Sequence, residues 1–387
     1  MNQEAQRCIL CKKPRCSAAC PVSTHVPEAM LLYREGRLEE AGELLFLNNP
    51  LSAITSLVCN WGIFCNGNCV LNVKGEPVRW YEIEQEVSCK FIMEHGLKRT
   101  GKDLEGKKIA IAGAGPAGIT AAVFLWREGA EIEIFDPNPE IGGVLLYGIP
   151  DFRLNRTLVR RYGTILAEAG ILFHPGKAVG KDIPIDYLSS SYDAVIVATG
   201  AEVPSKLGIP GEERAVQALE FLRNPPGFPL GEKVIVIGGG NVAIDAARTA
   251  KRMRDDVAVY YRKGRTNMPA NPSETEAAVN EGVRFEYFWA PVGFDGNNAV
   301  FAPCENITDP TTGAILTRIL EGDPEIVPCD TLILAIGEKP DKSITAMCQA
   351  PNLFPAGDYA YGPKTVVEAV ASARSVSRDI ISFLSGR

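Results

Sequence analysis

The chain has 387 residues and the composition of an ordinary globular protein, so it is long enough for two or three domains that each bury a core. Its formal net charge of −7, without a sustained basic face, argues against nucleic acid as a partner. No apolar run is long enough to cross a bilayer and no signal segment opens the chain, so we expect a cytoplasmic protein without membrane insertion.

Cysteines are concentrated at the start of the chain, where seven of the 11 lie within the first 69 residues. The cytoplasm keeps thiols reduced, so this crowding indicates metal binding rather than disulfides. Four cysteines form the run C-x2-C-x4-C-x3-C, followed by Pro21. This run differs from the bacterial ferredoxin run C-x2-C-x2-C-x3-C-P only in its second spacing. Three more follow a predicted amphipathic helical stretch at residues 26–46. The seven candidates are Cys8, Cys11, Cys16, Cys20, Cys59, Cys65 and Cys69.

Three interpretations of these cysteines compete. Zinc prefers paired C-x2-C knuckles, and only Cys8 and Cys11 form such a pair. A purely structural thiol cluster is unusual at this density. Two [4Fe–4S] clusters fit best, with one of the eight ligand positions left for a residue other than cysteine.

The runs RCILCKKPRCSAACPVSTHVPE and LVCNWGIFCNGNC resemble the N-terminal cluster domain of the glutamate synthase small subunit and of dihydropyrimidine dehydrogenase. The resemblance implies a Glu or Gln as the eighth ligand, and the family pattern P-[IV]-x4-[IL]-[EQ] assigns Glu84, with Gln85 as the choice for a shifted register. A solvated helix-face acid is the alternative for Glu84, and Cys89, outside the motif, is expected to be a buried thiol. The implied ligand sets are Cys8, Cys11, Cys16 and Cys69 for one cluster, and Cys20, Cys59, Cys65 and Glu84 for the other.

A dinucleotide-binding fingerprint follows a polar linker at residues 101–107. It predicts a strand at residues 109–112, a helix through Arg127 and a second strand that ends on Asp136. Its G-x-G-x-x-G glycines allow a tight turn, close backbone approach to a pyrophosphate and close helix–strand packing, while the acid accepts ribose hydroxyls. The candidate FAD residues are Gly113, Gly115, Pro116, Ala117, Gly118 and Asp136.

Two further segments carry candidate FAD residues. The pattern GGVL-x-YGIP-x-FRL is a signature of the same family, in which glycines allow backbone approach to the flavin and a basic residue supplies a charged hydrogen bond. Without the family it is only a glycine-rich turn. The run YDAVIVATG predicts a buried strand that ends at a crossover. The candidates are Gly142, Gly143, Leu146 and Arg153 in the first segment, and Thr199 and Gly200 in the second.

Cysteine spacing makes a disulfide reductase unlikely on sequence grounds. Flavin disulfide reductases carry a redox cysteine pair, but no cysteine lies between Cys89 and Cys304, and Cys304 and Cys329 are not closely paired. Electrons are therefore expected to leave the flavin by another route.

A second fingerprint, KVIVIGGGNVAID, predicts a nicotinamide site in which Ala243 replaces the third glycine. Its second strand, predicted at residues 257–261, ends on two cations instead of an acid. A cation suits a 2′-phosphate, which favours NADPH over NADH, although the family's pyrimidine-reducing subunits use NADH with a similar basic pair. Arg262 as a plain surface cation is the alternative. The candidate residues are Gly238, Gly240, Asn241, Val242, Arg262, Lys263 and, after the run CDTLILAIG, Gly337.

The end of the chain resembles the closing motif of the family. The resemblance implies that Asp358 meets the flavin ribityl chain and that a helix from Thr365 points its N-terminus at the isoalloxazine, where its dipole favours the anionic reduced flavin. Residues 339–352 are fewer than the family usually has, which leaves the edge of the flavin domain open. The candidates are Gly357, Asp358, Thr365 and Val366.

The predicted fold class is α/β, with two nested Rossmann-like dinucleotide-binding domains, for FAD and NAD(P), preceded by a helical iron–sulfur domain. The expected domains are residues 1–100 for two [4Fe–4S] clusters, 101–203 with 336–387 for FAD, and 204–335 for NAD(P). No catalytic side chain is expected, because no Ser/His/Asp or paired-carboxylate arrangement is present. The histidines (His25, His95, His174) are expected to be structural or surface residues.

The expected function is that of an electron-transfer subunit in an oxidoreductase complex. Hydride would pass from NAD(P)H to FAD, and single electrons would pass through the clusters to a catalytic partner subunit of glutamate synthase or dihydropyrimidine dehydrogenase type. One alternative is reverse flow, from a ferredoxin-type donor to NADP+ or within an electron-bifurcating transhydrogenase. A remote alternative is a non-catalytic, zinc-stapled adaptor, against which the intact glycines at both nucleotide sites argue.

Overall fold

The computed structural model describes residues 3–346 and 348–386 and divides into two compact units. The first unit combines the chain up to Leu146 with Asp151–Val203 and with the chain from Lys339 onward. The second unit combines Tyr147–Pro150 with Pro204–Glu338. Two short strands, Val203–Pro204 and Glu338–Lys339, pair with each other as a two-stranded sheet.

The first unit begins with a helical head, residues 3–94, that carries the early cysteines. Apolar side chains such as Met30, Leu45 and Ile83 form its core. The helices of the head are Gln3–Arg7, Arg15–Ala19, Val26–Arg34, Leu38–Asn48, Ser52–Val58, the 3-10 turn Val70–Val73, and Trp80–Glu94.

The amphipathic helical stretch that the sequence predicts at residues 26–46 is confirmed, and the structure divides it into two helices. The first helix is Val26–Arg34 and the second is Leu38–Asn48. Gly36 lies between them with φ +75°, a left-handed conformation that glycine adopts at little cost, and its N–H bonds to the Tyr33 carbonyl at 3.1 Å. The chain therefore turns at Gly36, and the second helix packs back against the first.

The rest of the first unit is built on a five-stranded parallel sheet, the first sheet. The predicted strands at residues 109–112 and 132–136 are confirmed, and the helix between them is Pro116–Arg127. The strand order is Leu353–Pro355, Ala194–Val197, Lys108–Ala112, Glu131–Asp136, Leu172–Pro175. The other helices are Val144–Tyr147, Arg156–Glu168, Ile185–Ser191, Ser343–Ala346, Gly357–Tyr361 and the closing helix Val366–Ser385. In the parts of the chain that the structure describes, no helix is long and apolar enough to span a bilayer.

The second unit contains another five-stranded parallel sheet, the second sheet. Its strand order is Val216–Gln217, Thr331–Leu334, Lys233–Ile237, Asp256–Tyr261, Arg284–Tyr287. The helices of this unit are Ala218–Arg223, Asn241–Lys251 and Pro272–Asn280, with 3-10 turns at Glu212–Arg214, Pro225–Gly227 and Arg265–Asn267. Both sheets begin with a strand, a glycine turn, a helix and a parallel strand, so the prediction of two Rossmann-like domains in an α/β fold is confirmed.

An antiparallel sheet in the second unit was not predicted from the sequence. Its strands are Trp289–Phe294, Asn298–Thr308, Ile315–Ile319 and Glu325–Pro328. The second of these pairs with each of the other three. Phe301 on that strand stacks on Tyr260 of the second sheet with ring centroids 4.0 Å apart, so the antiparallel sheet covers one face of the parallel one.

Candidate functional site

Residues from several of the segments that the sequence assigns to FAD lie at one edge of the first sheet. The loops of Gly113, Gly200 and Gly357 each follow a strand at its carboxyl end, and Asp136 is the last residue of another strand. The carboxyl ends of parallel strands share one edge, which is where open α/β sheets bind nucleotides. The structure therefore brings together candidates from four distant parts of the chain.

The glycines of the first fingerprint have two different roles. Gly113 has φ +106°, and a Cβ atom there would lie 2.3 Å from the Ala198 carbonyl oxygen. A Cβ on Gly118 would lie 1.9 Å from the Gly113 carbonyl oxygen. A Cβ on Gly115 would have no neighbour nearer than 3.9 Å, so the space at the helix N-terminus is open. Gly113 and Gly118 thus serve the fold, while Gly115 leaves room for a phosphate.

The glycine-rich turn after Asp136 packs backbone to backbone on this fingerprint. A Cβ on Gly143 would lie 2.7 Å from the Cα atom of Gly115, and the Gly142 N–H donates to the Ala114 carbonyl at 2.9 Å. Leu146 is buried behind the turn, and Arg153 is half-buried.

Asp136 is buried and hydrogen-bonded to the protein through both carboxylate oxygens. Oδ2 accepts from the Ala114 N–H at 2.7 Å, and Oδ1 accepts from the Asn138 backbone and side-chain amides at 2.8 and 2.9 Å. These bonds tie the second strand to the fingerprint turn. Each carboxylate oxygen has more than one acceptor site, so a ribose hydroxyl can still be bound. Asn138, which holds the Asp136 carboxylate, is a residue that sequence reasoning missed.

The closing motif packs on the fingerprint helix. A Cβ on Gly357 would lie 2.8 Å from the Cβ of Ala117, which only a glycine at φ +60° avoids. Asp358 follows, and its Oδ1 accepts from the Lys364 N–H at 3.2 Å. Burial, with the nearby charge of Glu368, raises the pKa of Asp358 to about 6.

The closing helix begins with a capping box. The Thr365 hydroxyl oxygen accepts from the Glu368 N–H at 3.4 Å, and the Glu368 carboxylate accepts from the Thr365 N–H at 3.0 Å. The amides of Val366 and Val367, in the first turn, have no partner within the helix and can donate to a ligand.

The second fingerprint repeats the geometry of the first. Gly238 has φ +144°, and a Cβ there would lie 2.3 Å from the Ala335 carbonyl oxygen. Ala243 occupies the position where a third glycine is usual. Its Cβ atom would lie 3.2 Å from a Cβ atom placed on Gly238. Gly240 faces open space, and the Oδ1 of Asn241 accepts from the Asn271 N–H at 2.8 Å. Two further nicotinamide candidates remain. Val242 is half-buried, and Gly337 has φ +96°.

The two cations after the second strand are in different situations. Arg262 is exposed, whereas the Nζ of Lys263 donates to the Ile315 carbonyl at 2.6 Å. The antiparallel sheet therefore already engages the Lys263 ammonium. Arg265, exposed in the following 3-10 turn, is a further cation that the sequence analysis did not name.

An ion-pair cluster fixes the fingerprint helix Asn241–Lys251. Arg248 is buried and donates to Glu281 at 2.6 Å and also to Glu274, and Arg252 donates to Glu281 at 2.9 Å. The hydrogen bond from Arg248 is the main reason that the pKa of Glu281 is lowered to about 2.

Electrostatic interactions link the early cysteines mostly within the two ligand sets that the resemblance implies, although Cys65 of the second set also interacts with Cys16 of the first. Burial raises the pKa of thiols in both groups, to about 11 for Cys16. The first ligand group is Cys8, Cys11, Cys16 and Cys69, and the second ligand group is Cys20, Cys59, Cys65 and Glu84. Thiolates that burial disfavours are stabilised when they coordinate a cationic metal core.

The first ligand group opens into a cavity of about 480 Å³, counted with the solvent at its mouth. Apolar side chains line it, and backbone N–H groups of Leu10 and Ser17 donate to the sulfurs of Cys8 and Cys16. Leu10 has φ +50°, a strained conformation for leucine that turns its amide toward the sulfur. Thiolates with N–H···S bonds in an apolar cavity fit a [4Fe–4S] cluster.

Glu84 lies on the inner side of the helix Trp80–Glu94. Its carboxyl group is buried among the second ligand group, and burial raises its pKa to about 8. The alternative of a solvated helix-face acid is therefore wrong, whereas Gln85 is half-buried. Cys89 was expected to be a buried thiol but is half-buried, and its sulfur lies 3.8 Å from the Ala53 carbonyl oxygen. Within residues 3–346 and 348–386, no three His, Cys, Asp or Glu side chains are placed to bind a single metal ion.

The histidines have structural contacts or lie at the surface. His25 is exposed, His95 bonds to the Phe91 carbonyl and to Glu39, and His174 bonds to Glu133 at 2.7 Å.

Three side chains of the first-sheet domain hold the head, and sequence reasoning missed all of them. The Tyr162 hydroxyl donates to the Pro50 carbonyl at 2.9 Å. Arg161 donates to two carbonyls at the end of the helix Trp80–Glu94, at 3.0 and 3.1 Å. Arg374 of the closing helix donates to Asn48. Contacts between residues so far apart in sequence carry no local signal.

Comparisons with known proteins agree with this architecture. Residues 1–96 match the family described as dihydropyrimidine dehydrogenase domain II, 4Fe-4S cluster, and residues 107–373 match the pyridine nucleotide-disulphide oxidoreductase family. The glutamate synthase (NADPH) small chain of Escherichia coli is 33% identical, over 98% of this chain and 91% of its own length. The corresponding small chain of Azospirillum brasilense is 31% identical, over 100% of this chain and 89% of its own.

Among solved structures, FprA of Mycobacterium tuberculosis in complex with NADPH is similar in fold. The TM-score is 0.62 at 18% identity, covering 72% of this chain and 85% of that one. The resemblance and the fold class predicted from the sequence are confirmed by these matches, and the adaptor alternative is left without support.

Proposed function

The chain belongs to the pyridine nucleotide-disulphide oxidoreductase family, and on this premise we propose that it is the electron-input subunit of an oxidoreductase complex. It is an NAD(P)H-dependent FAD oxidoreductase with an iron–sulfur domain at its N-terminal end. In the proposed complex, FAD accepts hydride from the nicotinamide and two [4Fe–4S] clusters carry single electrons onward to a partner subunit.

The observation that carries this proposal is the arrangement of the head. The head brings seven thiols and one buried carboxyl together, which supports two [4Fe–4S] clusters with four ligands each. Head and first sheet belong to one compact unit, joined by the bonds of Arg161, Tyr162 and Arg374. Because the head and the first sheet are held together in this way, electrons could pass from the flavin to the clusters within one chain.

The FAD site is proposed to use the edge of the first sheet. The open space at Gly115 and the N-terminus of Pro116–Arg127 suit the pyrophosphate, and Asp136 suits the ribose. Asp358 suits the ribityl chain, and the amides at the start of the closing helix suit the isoalloxazine. All of these groups bind and orient, and none needs to exchange a proton with substrate.

NADPH is the proposed donor. Arg262 is exposed directly after the strand Asp256–Tyr261, where a nucleotide's ribose is held in this fold, and no acid stands there. The names of the glutamate synthase relatives carry the same nucleotide.

A catalytic partner subunit is proposed as the electron acceptor. The relatives that align over nearly the full length of this chain are named small chains of glutamate synthase, a name that implies a larger companion. We infer that this chain likewise delivers its electrons to a separate subunit.

Anaerobic purification from the native host tests the proposal. The expected result is about one FAD and about eight irons per chain, with a second polypeptide in fixed ratio. A preparation with about four irons contradicts the two-cluster assignment. A chain that purifies alone and turns over a substrate by itself contradicts the subunit assignment.

A further inference from the structure

Arg374 is a half-buried arginine that binds only neutral acceptors, as half-buried Arg34 also does. Its Nη1 donates to the Val22 carbonyl at 2.9 Å and to the carbonyl and Oδ1 of Asn48 at 3.2 and 2.7 Å. All three acceptors are neutral. In the described residues no carboxylate pairs with it, whereas buried Arg248 has Glu274 and Glu281. A half-buried cation without an anion pays a desolvation cost that calls for a compensating negative charge.

The compensating charge lies in the second ligand group. Arg374 interacts electrostatically with the exposed Arg378, which disfavours its charge, and with the thiol of Cys20, which favours it. Val22, whose carbonyl accepts from Arg374, is two residues beyond Cys20. Asn48 ends the helix Leu38–Asn48, so its carbonyl lies at the negative end of a helix dipole. The guanidinium therefore sits between a cluster ligand loop and a helix C-terminus.

We propose that Arg374 is a positioning residue that fixes the Cys20 loop against the closing helix and raises the reduction potential of the cluster held there. The inference rests on the proposed function. Three thiolates and a carboxylate make the second ligand group strongly anionic, and an added electron makes it more so. A fixed cation beside that group stabilises the reduced form relative to the oxidised one.

The closing helix then links two sites. Its first turn is the proposed isoalloxazine contact, and Arg374, about two turns further on, holds the head. Glu368, in the first turn, acts electrostatically on Cys59 of the same ligand group with the opposite sign. One helix thereby fixes both the place and the potential of the cluster next to the flavin domain.

Three variants test the inference. Arg374→Gln removes the charge and Arg374→Lys keeps it. Arg378→Gln removes the exposed cation one turn further along the same helix, which acts on Arg374, and so controls for the loss of a neighbouring positive charge that makes no bond to the head. The readouts are the midpoint potential of each cluster by EPR-monitored titration and hydrogen exchange of residues 20–24 and 46–51. The cluster signal lost in Glu84→Ala identifies the second ligand group.

The expected result is a lower potential for that cluster in Arg374→Gln, an unchanged potential in Arg374→Lys and Arg378→Gln, and faster exchange in both Arg374 variants. Equal potentials in Arg374→Gln and Arg378→Gln overturn the inference. Should Arg374→Gln fail to fold, Asn48→Asp neutralises the cation in place and is expected to lower the same potential; no shift there overturns the inference as well. Absence of a second cluster in the wild-type chain counts instead against the proposed function.

Discussion

A Cβ atom on Gly113 would lie 2.3 Å from the carbonyl oxygen of Ala198. The same relation recurs in the second unit between Gly238 and Ala335, also at 2.3 Å. In both units the first glycine of the fingerprint is needed so that two strand-end loops can pack. Gly115 and Gly240 face open space and are not needed for that packing, so they are available for the nucleotide.

Alanine at the two glycines of the first fingerprint should therefore have different effects. In Gly113→Ala the new Cβ atom clashes with the Ala198 carbonyl, and φ +106° is unfavourable for alanine. The substitution should destabilise the chain by about 3 kcal/mol or more. Gly115→Ala should fold normally without flavin but retain FAD at least tenfold less tightly. Thermal unfolding of the deflavinated protein and flavin content after gel filtration separate the two. Full FAD content in Gly115→Ala would contradict the site.

Arg262→Ala should weaken the use of NADPH selectively. A lost charge-assisted bond to the 2′-phosphate costs about 1.5–3 kcal/mol, or roughly a 10- to 150-fold fall in kcat/KM for NADPH, with NADH unchanged. Dye reduction with both nucleotides measures it. Arg318→Ala, which removes an exposed cation paired with Glu305, is the control and should alter neither value. A parallel fall for both nucleotides in Arg262→Ala would argue against the 2′-phosphate contact.

Glu84→Ala should remove one cluster and leave the other. The carboxyl group is buried with Cys59 and Cys65, so its loss leaves the second ligand group one donor short. Iron content should fall by about half, and one EPR signal should disappear. Gln85→Ala, one residue along the same helix, should keep both signals. The reverse pattern would move the eighth ligand to Gln85.

Glu281→Gln should destabilise the second unit at neutral pH. Arg248 and Arg252 hold the pKa of Glu281 at about 2, below its usual value of 4.5, so the ionised carboxylate stabilises the fold above that usual value. We expect a loss of about 1–3 kcal/mol at pH 7 that shrinks as pH falls from 4.5 toward 2. Urea unfolding of both proteins at several pH values measures it. A difference independent of pH would show that the loss comes from packing instead.

Local patterns predicted the parts of the fold that local physics determines. The strand at residues 109–112, the turn at Gly113 and the helix to Arg127 follow from an apolar run, glycine spacing and helix periodicity within 20 residues. The cysteine spacing likewise indicated a metal-binding head. The helical stretch predicted at residues 26–46 is helical in the structure, but the amphipathic pattern does not reveal that Gly36, at positive φ, divides it into two helices.

Features that depend on distant residues were not accessible in the same way. The antiparallel sheet was missed because its strands are only half-buried and their alternation is weak, apart from Asn298–Thr308. The partner of Lys263, a carbonyl on that sheet, was therefore missed as well. The bonds of Arg374 and Tyr162 to the head join residues separated by more than 100 positions, and no sequence spacing encodes them.

Hydride entry should be separable from electron exit, because the nicotinamide fingerprint and the head lie in different compact units. Cys11→Ala removes a donor of the first ligand group but touches neither fingerprint. Cys89→Ala, a thiol outside both groups, is the matched control.

The most direct test is rapid-mixing spectroscopy of Cys11→Ala with NADPH and with the co-purified partner subunit. Complex formation is checked first by gel filtration. The predicted result is normal bleaching of FAD by NADPH, normal reduction of a small dye and loss of electron transfer to the bound partner, with Cys89→Ala behaving like the wild type. A Cys11→Ala protein that lacks a cluster, still binds its partner and still reduces it at the wild-type rate would contradict the relay.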